Sequence, residues 1–163
     1  MIHLEKITKD NLFPIVKLWE TLDSDQKTSV APNVVSIAQA YVDPEVAWPR
    51  AIFEGEEPVG FVMMSLHDTD IPDEDQPAYY LWRFMVTRSR QGQGIGRKVL
   101  DILIEKCRED GIKYLYVSCT MNGPMPYKFY IGYGFVDTHQ VDDEEEILKL
   151  RIESKPATVT SGN

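Results

Sequence analysis

The sequence has 163 residues, of which 43% are hydrophobic and 26% charged, and its net charge is −9. This length allows one domain with a full core but not two ordinary ones. The acidic balance argues against a nucleic-acid partner, whose binding depends on clustered Lys and Arg. No apolar run approaches the length of a membrane span, and the N-terminus lacks the pattern of a signal peptide. We therefore expect a cytoplasmic protein without a membrane partner.

The residues that could bind a metal are few and scattered. The two cysteines, Cys107 and Cys119, have neither the number nor the spacing of a disulfide framework. The histidines, His3, His67 and His139, are isolated from each other and from the cysteines, so no zinc-ligand spacing exists. We expect two reduced structural cysteines and no metal site.

The N-terminal third predicts one strand and two helices. Ile2–Ile7 alternates loosely between apolar and polar residues, as a strand does. Apolar residues at helical spacing predict a helix from Leu12 to Leu22, and Asp23–Lys27 is predicted to be a polar link. A second helix is predicted from Asn33 to Tyr41, since Pro44 follows.

The middle of the chain predicts a β-hairpin and an acidic loop. Trp48–Phe53 and Val59–Leu66 are rich in β-formers and flank a turn that contains glycine and proline. His67–Pro77 has five carboxylates and two prolines, so we predict an exposed loop there.

A strand, a helix and a second strand follow. Tyr79–Val86 predicts a central strand, Ile95–Cys107 a helix with one apolar face, and Tyr114–Cys119 the next strand. This spacing predicts a right-handed crossover between parallel strands. Ligands bind at the carboxyl ends of such strands, where Gln91–Arg97 lies.

The C-terminal part predicts a short helix and an antiparallel strand pair. The segments are the link Met121–Pro126, the helix Tyr127–Gly132, the strands Phe135–Thr138 and Ile147–Ile152, and the turn Asp142–Glu146. We expect one domain over residues 1–153, and a tail over residues 154–163 whose composition is typical of disorder.

The segment Gln91–Arg97 has glycines at positions 92, 94 and 96. Glycines let the backbone approach a ligand closely, and the helix that follows begins with unpaired N–H groups, so the pattern predicts an anion cradle. The dinucleotide fingerprint fails because Arg97 occupies the place of its last glycine. The P-loop fails as well, because no Gly-Lys-Ser/Thr is present.

The pattern Gln/Arg-x-x-Gly-x-Gly is met by Gln91, Gly94 and Gly96. The apolar strand Leu81–Val86 precedes it, and Asn122 followed by Tyr130-x-x-x-Gly-Phe comes after it. In this order the motifs resemble the GNAT N-acetyltransferase superfamily over roughly residues 48–152. The resemblance implies an α/β (α+β) fold, with a mostly antiparallel mixed sheet, one splayed parallel strand pair and flanking helices.

The resemblance also implies an acetyl-CoA site. It assigns the backbone of Phe84, Met85 and Val86 to the pantetheine arm and the thioester carbonyl. The pyrophosphate falls to Gln91, Gly92, Gln93, Gly94, Ile95, Gly96 and Arg97. Asn122 is assigned to coenzyme A, although its spacing to Tyr130 is one residue too long, which leaves Gly123 or Pro124 as alternatives.

Tyr130 is the general acid that the resemblance implies. A phenol with a pKa of about 10 is protonated at neutral pH and can donate to a thiolate. The alternative is a core aromatic on a short helix. No carboxylate lies in Tyr79–Val86, so the base stays open. Asp68 or Asp70 acting through water, or loss of the proton to solvent, would each suffice.

The acceptor is predicted from charge and from a closer match. Leu81–Phe84 resembles the strand of bacterial spermine/spermidine acetyltransferases, which implies a small cationic amine as the acceptor. The residues assigned to it are Glu20, Asp68, Asp70 and Trp82. Solvated charges that only confer solubility are the alternative. For Arg83 the alternatives are an ion pair to a neighbouring strand and contact with the substrate.

Two other functions stay open from the sequence. One is acetylation of a protein N-terminus or lysine, and the other is a non-catalytic acetyl-CoA-binding protein. A homodimer is compatible with the sequence.

Overall fold

The computed structural model describes residues 1–121 and 126–155. The strands are β1 (Ile2–Glu5), β2 (Ala47–Glu54), β3 (Glu57–Ser65), β4 (Ala78–Val86), β5 (Tyr114–Cys119), β6 (Val136–Asp142) and β7 (Glu145–Arg151). The helices are α1 (Leu12–Leu18), α2 (Ser24–Ser29), α3 (Asn33–Val42), α4 (Ile95–Glu109) and α5 (Pro126–Tyr133). Short 3-10 turns cover Trp19–Thr21, Asp73–Asp75 and Arg88–Arg90.

The strands form one sheet in the order β1-β2-β3-β4-β5-β7-β6. Every neighbouring pair is antiparallel except β4 and β5, which confirms the predicted mixed sheet. The parallel pairing runs only from Ala78–Tyr114 to Leu81–Val117. Beyond that point β4 and β5 continue separately, so the sheet opens after Leu81 and Val117.

A β-bulge interrupts β4 just after the parallel pairing stops. Met64 of β3 pairs with Leu81, and Met63 pairs with Arg83, so Trp82 has no partner in this register. An extra residue of this kind bends the strand and re-aims side chains. As a result Trp82 and Arg83, although consecutive, line the same cavity.

Two apolar layers hold the sheet. On one face α4 buries Val99, Leu103 and Cys107 with sheet residues such as Leu115. Their four-residue spacing places them along one side of the helix, as predicted. The other face packs against α1 and α3, through residues that include Ile15, Leu22, Ala40, Phe61, Met63 and Met85.

The segment predicted as a polar link contains a helix instead. The Asp23 side chain accepts a hydrogen bond from the Gln26 backbone N–H (2.9 Å), and the Gln26 side chain accepts one from the Asp23 N–H (3.3 Å). This capping box satisfies N–H groups that a helix start leaves unpaired. The prediction was wrong because the segment has no apolar face, although Asp23 followed by Gln26 is a capping signal in itself.

The acidic loop His67–Pro77 is only partly exposed. Ile71 and Asp75 are buried, and Asp75 accepts hydrogen bonds from the Tyr116 hydroxyl and from Lys149 Nζ, the latter at 2.8 Å. Burial alone would raise the pKa of Asp75, but the two hydrogen bonds outweigh it and the pKa is lowered. The loop is thereby fastened to β5 and β7, which the sequence did not predict.

The last two strands are longer than predicted. Only Asp143 and Glu144 form the turn between them, both with positive φ (45° and 66°), whereas Asp142 and Glu145 belong to the strands. No helix in the described ranges is long and apolar enough to cross a membrane. Residues 156–163 lie outside the description, so the division into a domain and a tail stays a prediction.

Candidate active site

A cleft of about 380 Å³ lies where β4 ends and α4 begins. It brings together most of the residues predicted for acetyl-CoA and for catalysis, namely Phe84, Met85, Val86, Gln91, Gly92, Gly94, Ile95, Gly96, Arg97 and Tyr130. Gln93 does not line the cleft, and its side chain donates to the Ser89 carbonyl at 3.2 Å. Asn122, with its alternatives Gly123 and Pro124, lies outside the described residues.

The three glycines of the loop are needed for two different structural reasons. Gly92 and Gly94 adopt the left-handed region (φ +73° and +80°), and a Cβ on either would meet nothing within 4 Å. Their role is therefore conformational rather than the avoidance of a clash. At Gly96 a Cβ would lie 3.1 Å from the Phe129 ring, so this glycine allows α4 and α5 to pack closely.

The start of α4 is suited to an anion. Gly94 is its N-cap residue and supplies no side-chain hydrogen bond to the first turn. The N–H groups of that turn are therefore available beside the cleft, where the helix dipole also favours negative charge. The guanidinium of Arg97 adds a positive charge there and lies 5.3 Å from the Tyr133 ring centroid.

The side chain of Gln91 holds the loop in place. Its amide Nε2 donates to the Val86 carbonyl at 2.9 Å, and its Oε1 accepts from Gln26 Nε2 at 2.9 Å. The unpredicted helix α2 thus braces the glycine loop. These bonds use the Gln91 amide for support, which leaves its backbone for a ligand.

The cleft fits acetyl-CoA on these observations. Phe84, Met85 and Phe129 give it an apolar part, and the open helix start and Arg97 give it a part suited to an anion. A thioester on a long pantetheine arm suits the first part, and a pyrophosphate suits the second. When bound, acetyl-CoA supplies the activated acetyl group.

Tyr130 is both a core residue and a residue of the cleft. It is 5% exposed, and its ring packs against Phe129 and Phe135 at centroid distances of 5.2 and 5.3 Å. Burial raises the pKa of its phenol, and the charge of the Glu145 carboxylate adds to this effect. The phenol therefore keeps its proton at neutral pH. The two sequence interpretations of Tyr130, a general acid and a core aromatic, are thus compatible.

A second cavity, of about 420 Å³, lies beside the bulged part of β4. Three residues predicted for the acceptor, Asp68, Asp70 and Trp82, line it, whereas Glu20 lines neither cavity. Sequence reasoning missed Asp142 and Glu145, which also line it. Both come from the acidic segment predicted as a turn, and no local signal placed them opposite β4.

Arg83 lines the same cavity. An ion pair to a neighbouring strand was one of its two predicted roles, and none is found among the described residues. In the described part of the chain it makes no salt bridge, and its Nε is buried without a hydrogen-bond partner. Its Nη1 donates to the Trp82 carbonyl at 3.1 Å. Burial lowers the pKa of the guanidinium, and Glu145 partly opposes this shift.

Comparison with known proteins identifies the class. The model of the acetyltransferase (GNAT) family matches residues 13–135. The chain is 25% identical over 151 residues to the spermine/spermidine N(1)-acetyltransferase of Bacillus subtilis strain 168, covering 92% of this chain and 97% of that protein.

Solved structures share the fold at lower identity. An acetyltransferase from Thermus thermophilus is 18% identical, with a TM-score of 0.74 over 93% of this chain and 97% of that one. The PaiA N-acetyltransferase from Thermoplasma acidophilum, in complex with coenzyme A, is 13% identical, with a TM-score of 0.69 over 93% and 99%.

The chain belongs to the GNAT acetyltransferase family. It is an acetyl-CoA-dependent N-acetyltransferase, as the motifs around the glycine loop predicted.

Proposed function

We propose that the enzyme acetylates a primary amine of a small polycation such as spermine or spermidine. The observation that carries this proposal is the set of four carboxylates that line the second cavity: Asp68, Asp70, Asp142 and Glu145. The name of the Bacillus subtilis relative points to the same acceptor class.

The other residues of that cavity suit a polyamine as well. Trp82, Tyr80 and Tyr116 supply aromatic surface, which attracts cations through the ring face and packs against methylene groups. Arg83 is one positive charge among four negative ones, so the cavity stays acidic. Arg83 also lies next to the end of the cleft that we assign to the thioester, because Phe84, which follows it directly in the chain, lines that cleft.

We assign the departing thiolate's proton to Tyr130. The phenol lines the cleft, and burial raises its pKa, so it is present as the protonated donor at neutral pH. The backbone of β4 beyond the splay faces the cleft through Phe84, Met85 and Val86, which we assign to positioning the thioester. The chemistry is then direct attack by the amine.

The test is turnover of acetyl-CoA with a panel of spermine, spermidine, simple monoamines and peptides with a free N-terminus or lysine. The double variant Asp68→Asn and Asp70→Asn should raise the KM for spermine more than that for a monoamine, because it removes two charges from the cavity. Affinity for acetyl-CoA should not change. The matched control is Asp73→Asn with Glu74→Gln, which removes two charges from the exposed part of the same loop.

Acetylation of the peptides without acetylation of the polyamines would contradict the proposal in favour of a protein acceptor. An equal rise in the KM for spermine in both double variants would show that the loop acts only through overall charge. Binding of acetyl-CoA without turnover of any amine would favour the non-catalytic alternative.

A further inference from the structure

Glu145 lies where the sheet opens. The parallel pairing of β4 and β5 stops at Leu81 and Val117, and the next residue of β5 is Ser118. The Ser118 hydroxyl donates to Glu145 Oε2 at 2.7 Å. Ser118 pairs with Ile147 of β7, and Glu145 begins the same strand two residues earlier, so this bond holds the carboxylate beside the opening.

The same carboxylate is near both halves of the active site. Glu145 lines the acidic cavity together with Trp82 and Arg83. Its charge also raises the pKa values of the Tyr130 phenol and the Cys119 thiol, for each of which burial is the larger cause.

The reaction needs the acceptor as a neutral amine. An alkyl ammonium with a pKa near that of lysine, about 10.4, is neutral in roughly one molecule in a thousand or fewer at pH 7. Only the neutral amine has the lone pair that attacks a carbonyl. A carboxylate at the mouth of the acceptor cavity can take the proton from the ammonium there.

Resting on the proposed function, we propose that Glu145 is the catalytic base that deprotonates the acceptor ammonium. One proton passes from the ammonium to the Glu145 carboxylate. The nitrogen lone pair then forms the C–N bond as the C–S bond breaks, and Tyr130 gives its proton to the sulfur. The second proton that the nitrogen loses as the amide forms restores the Tyr130 phenol, and Glu145 releases its proton to solvent.

The charged and titratable groups around Glu145 come from several elements of the fold. Arg83 and Trp82 face it from β4, and Ser118 from β5. Tyr80, Tyr116, Asp68, Asp70 and Asp142 complete the titratable and charged lining of the cavity. Arg83 carries a positive charge in this lining, and Asp68, Asp70 and Asp142 are carboxylates like Glu145 itself.

The test is the pH profile of Glu145→Gln, with the amine that the wild type acetylates fastest. Glutamine keeps the shape and can still accept from Ser118 but cannot take a proton. We expect kcat to fall by about 10²–10⁴-fold at pH 7, the range typical of a lost acid or base. This deficit should shrink towards pH 9, because the neutral fraction of the free amine rises by up to about tenfold per pH unit.

The matched control is Glu146→Gln, the same change one residue further on, at a side chain that does not line the cavity. It should retain wild-type kcat and the wild-type pH profile. Two readouts do not depend on turnover. Calorimetry should give Glu145→Gln an acetyl-CoA affinity within about threefold of the wild type, and its melting temperature should stay within a few degrees.

A wild-type kcat in Glu145→Gln at pH 7 would overturn the assignment of the base while leaving the proposed function intact. A higher KM with unchanged kcat, or a deficit equal at every pH, would also overturn it, since Glu145 would then only attract the cation or support the fold. If the wild type acetylates no amine of the panel, both the proposed function and this assignment fail.

Discussion

Tyr130 belongs to the core and to the lining of the cleft. Its ring contacts Phe129 and Phe135, and the residue also lines the cleft to which we assign acetyl-CoA. Burial raises the pKa of the phenol, so the group is fully protonated at neutral pH. The packing that fixes the ring is therefore also what keeps it a proton donor.

Removing the hydroxyl of Tyr130 should separate the two roles. In Tyr130→Phe we expect kcat to fall by about 10²–10⁴-fold, the range typical of a lost general acid, with little change in acetyl-CoA affinity. Steady-state kinetics and calorimetry measure both quantities. The control is Tyr133→Phe, which loses only a hydrogen bond of 2.7 Å to Asp101 on the surface. Similar kcat values in the two variants would return Tyr130 to a purely structural role.

The sequence predicted the position of Tyr130 in the cleft but not that of Glu145 in the second cavity. The place of Tyr130 in the cleft followed from its spacing before Phe135, because a motif of that kind is local. Glu145 could not be found in this way. Its contact with Ser118 joins residues 27 positions apart, and it depends on the pairing of β5 with β7 rather than on any neighbouring residue.

At the scale of elements, the glycine loop depends on backbone conformation. Gly94 and Gly55 both have positive φ (+80° and +62°), and a Cβ on either meets nothing within 4 Å. A left-handed conformation costs an L-residue other than glycine roughly 1–2 kcal/mol, so alanine should strain the two sites alike. Only Gly94 lies at the anion cradle.

We therefore expect Gly94→Ala and Gly55→Ala to lose similar stability, each about 1–2 kcal/mol by denaturant unfolding. Acetyl-CoA affinity measured by calorimetry should fall about tenfold in Gly94→Ala alone. A loss of about 1.4 kcal/mol in binding free energy, which lies within the same range, corresponds to that factor. Equal affinity in the two variants would remove the glycine loop from the binding site.

The elements that the sequence predicted well have strong periodicity or β-formers. Helix α4 was found from apolar residues four apart, and β4 from its run of apolar residues. Helix α2 was missed because its stability comes from the Asp23–Gln26 capping box and from the contact of Gln26 with Gln91. The burial of Asp75 was missed because its partners, Tyr116 and Lys149, are distant in sequence.

At the scale of the whole molecule, the net charge of −9 creates a field that attracts polycations. Between 0.1 M and 1 M salt the Debye length falls from about 10 Å to about 3 Å, which screens charges that are exposed. The KM for spermine should therefore rise over this range, and more steeply than the KM for a monoamine of the same enzyme. A KM for spermine that does not depend on salt would contradict electrostatic recruitment.

The single domain over residues 1–153, the cytoplasmic location and a homodimer stay predictions.

The short contact between β4 and β5 divides the hydrogen-bonded sheet into two leaves, one of four strands and one of three. They share a seam only four residue pairs long, and the cleft begins where that seam ends. Walls of the cleft come from β4 on one side and from α5, which precedes the second leaf's outer strands, on the other. A cosubstrate in the cleft would therefore lie between β4 and α5, beyond the end of the seam. Because a ligand that binds only the folded protein stabilises it by mass action, we expect saturating acetyl-CoA to raise the melting temperature.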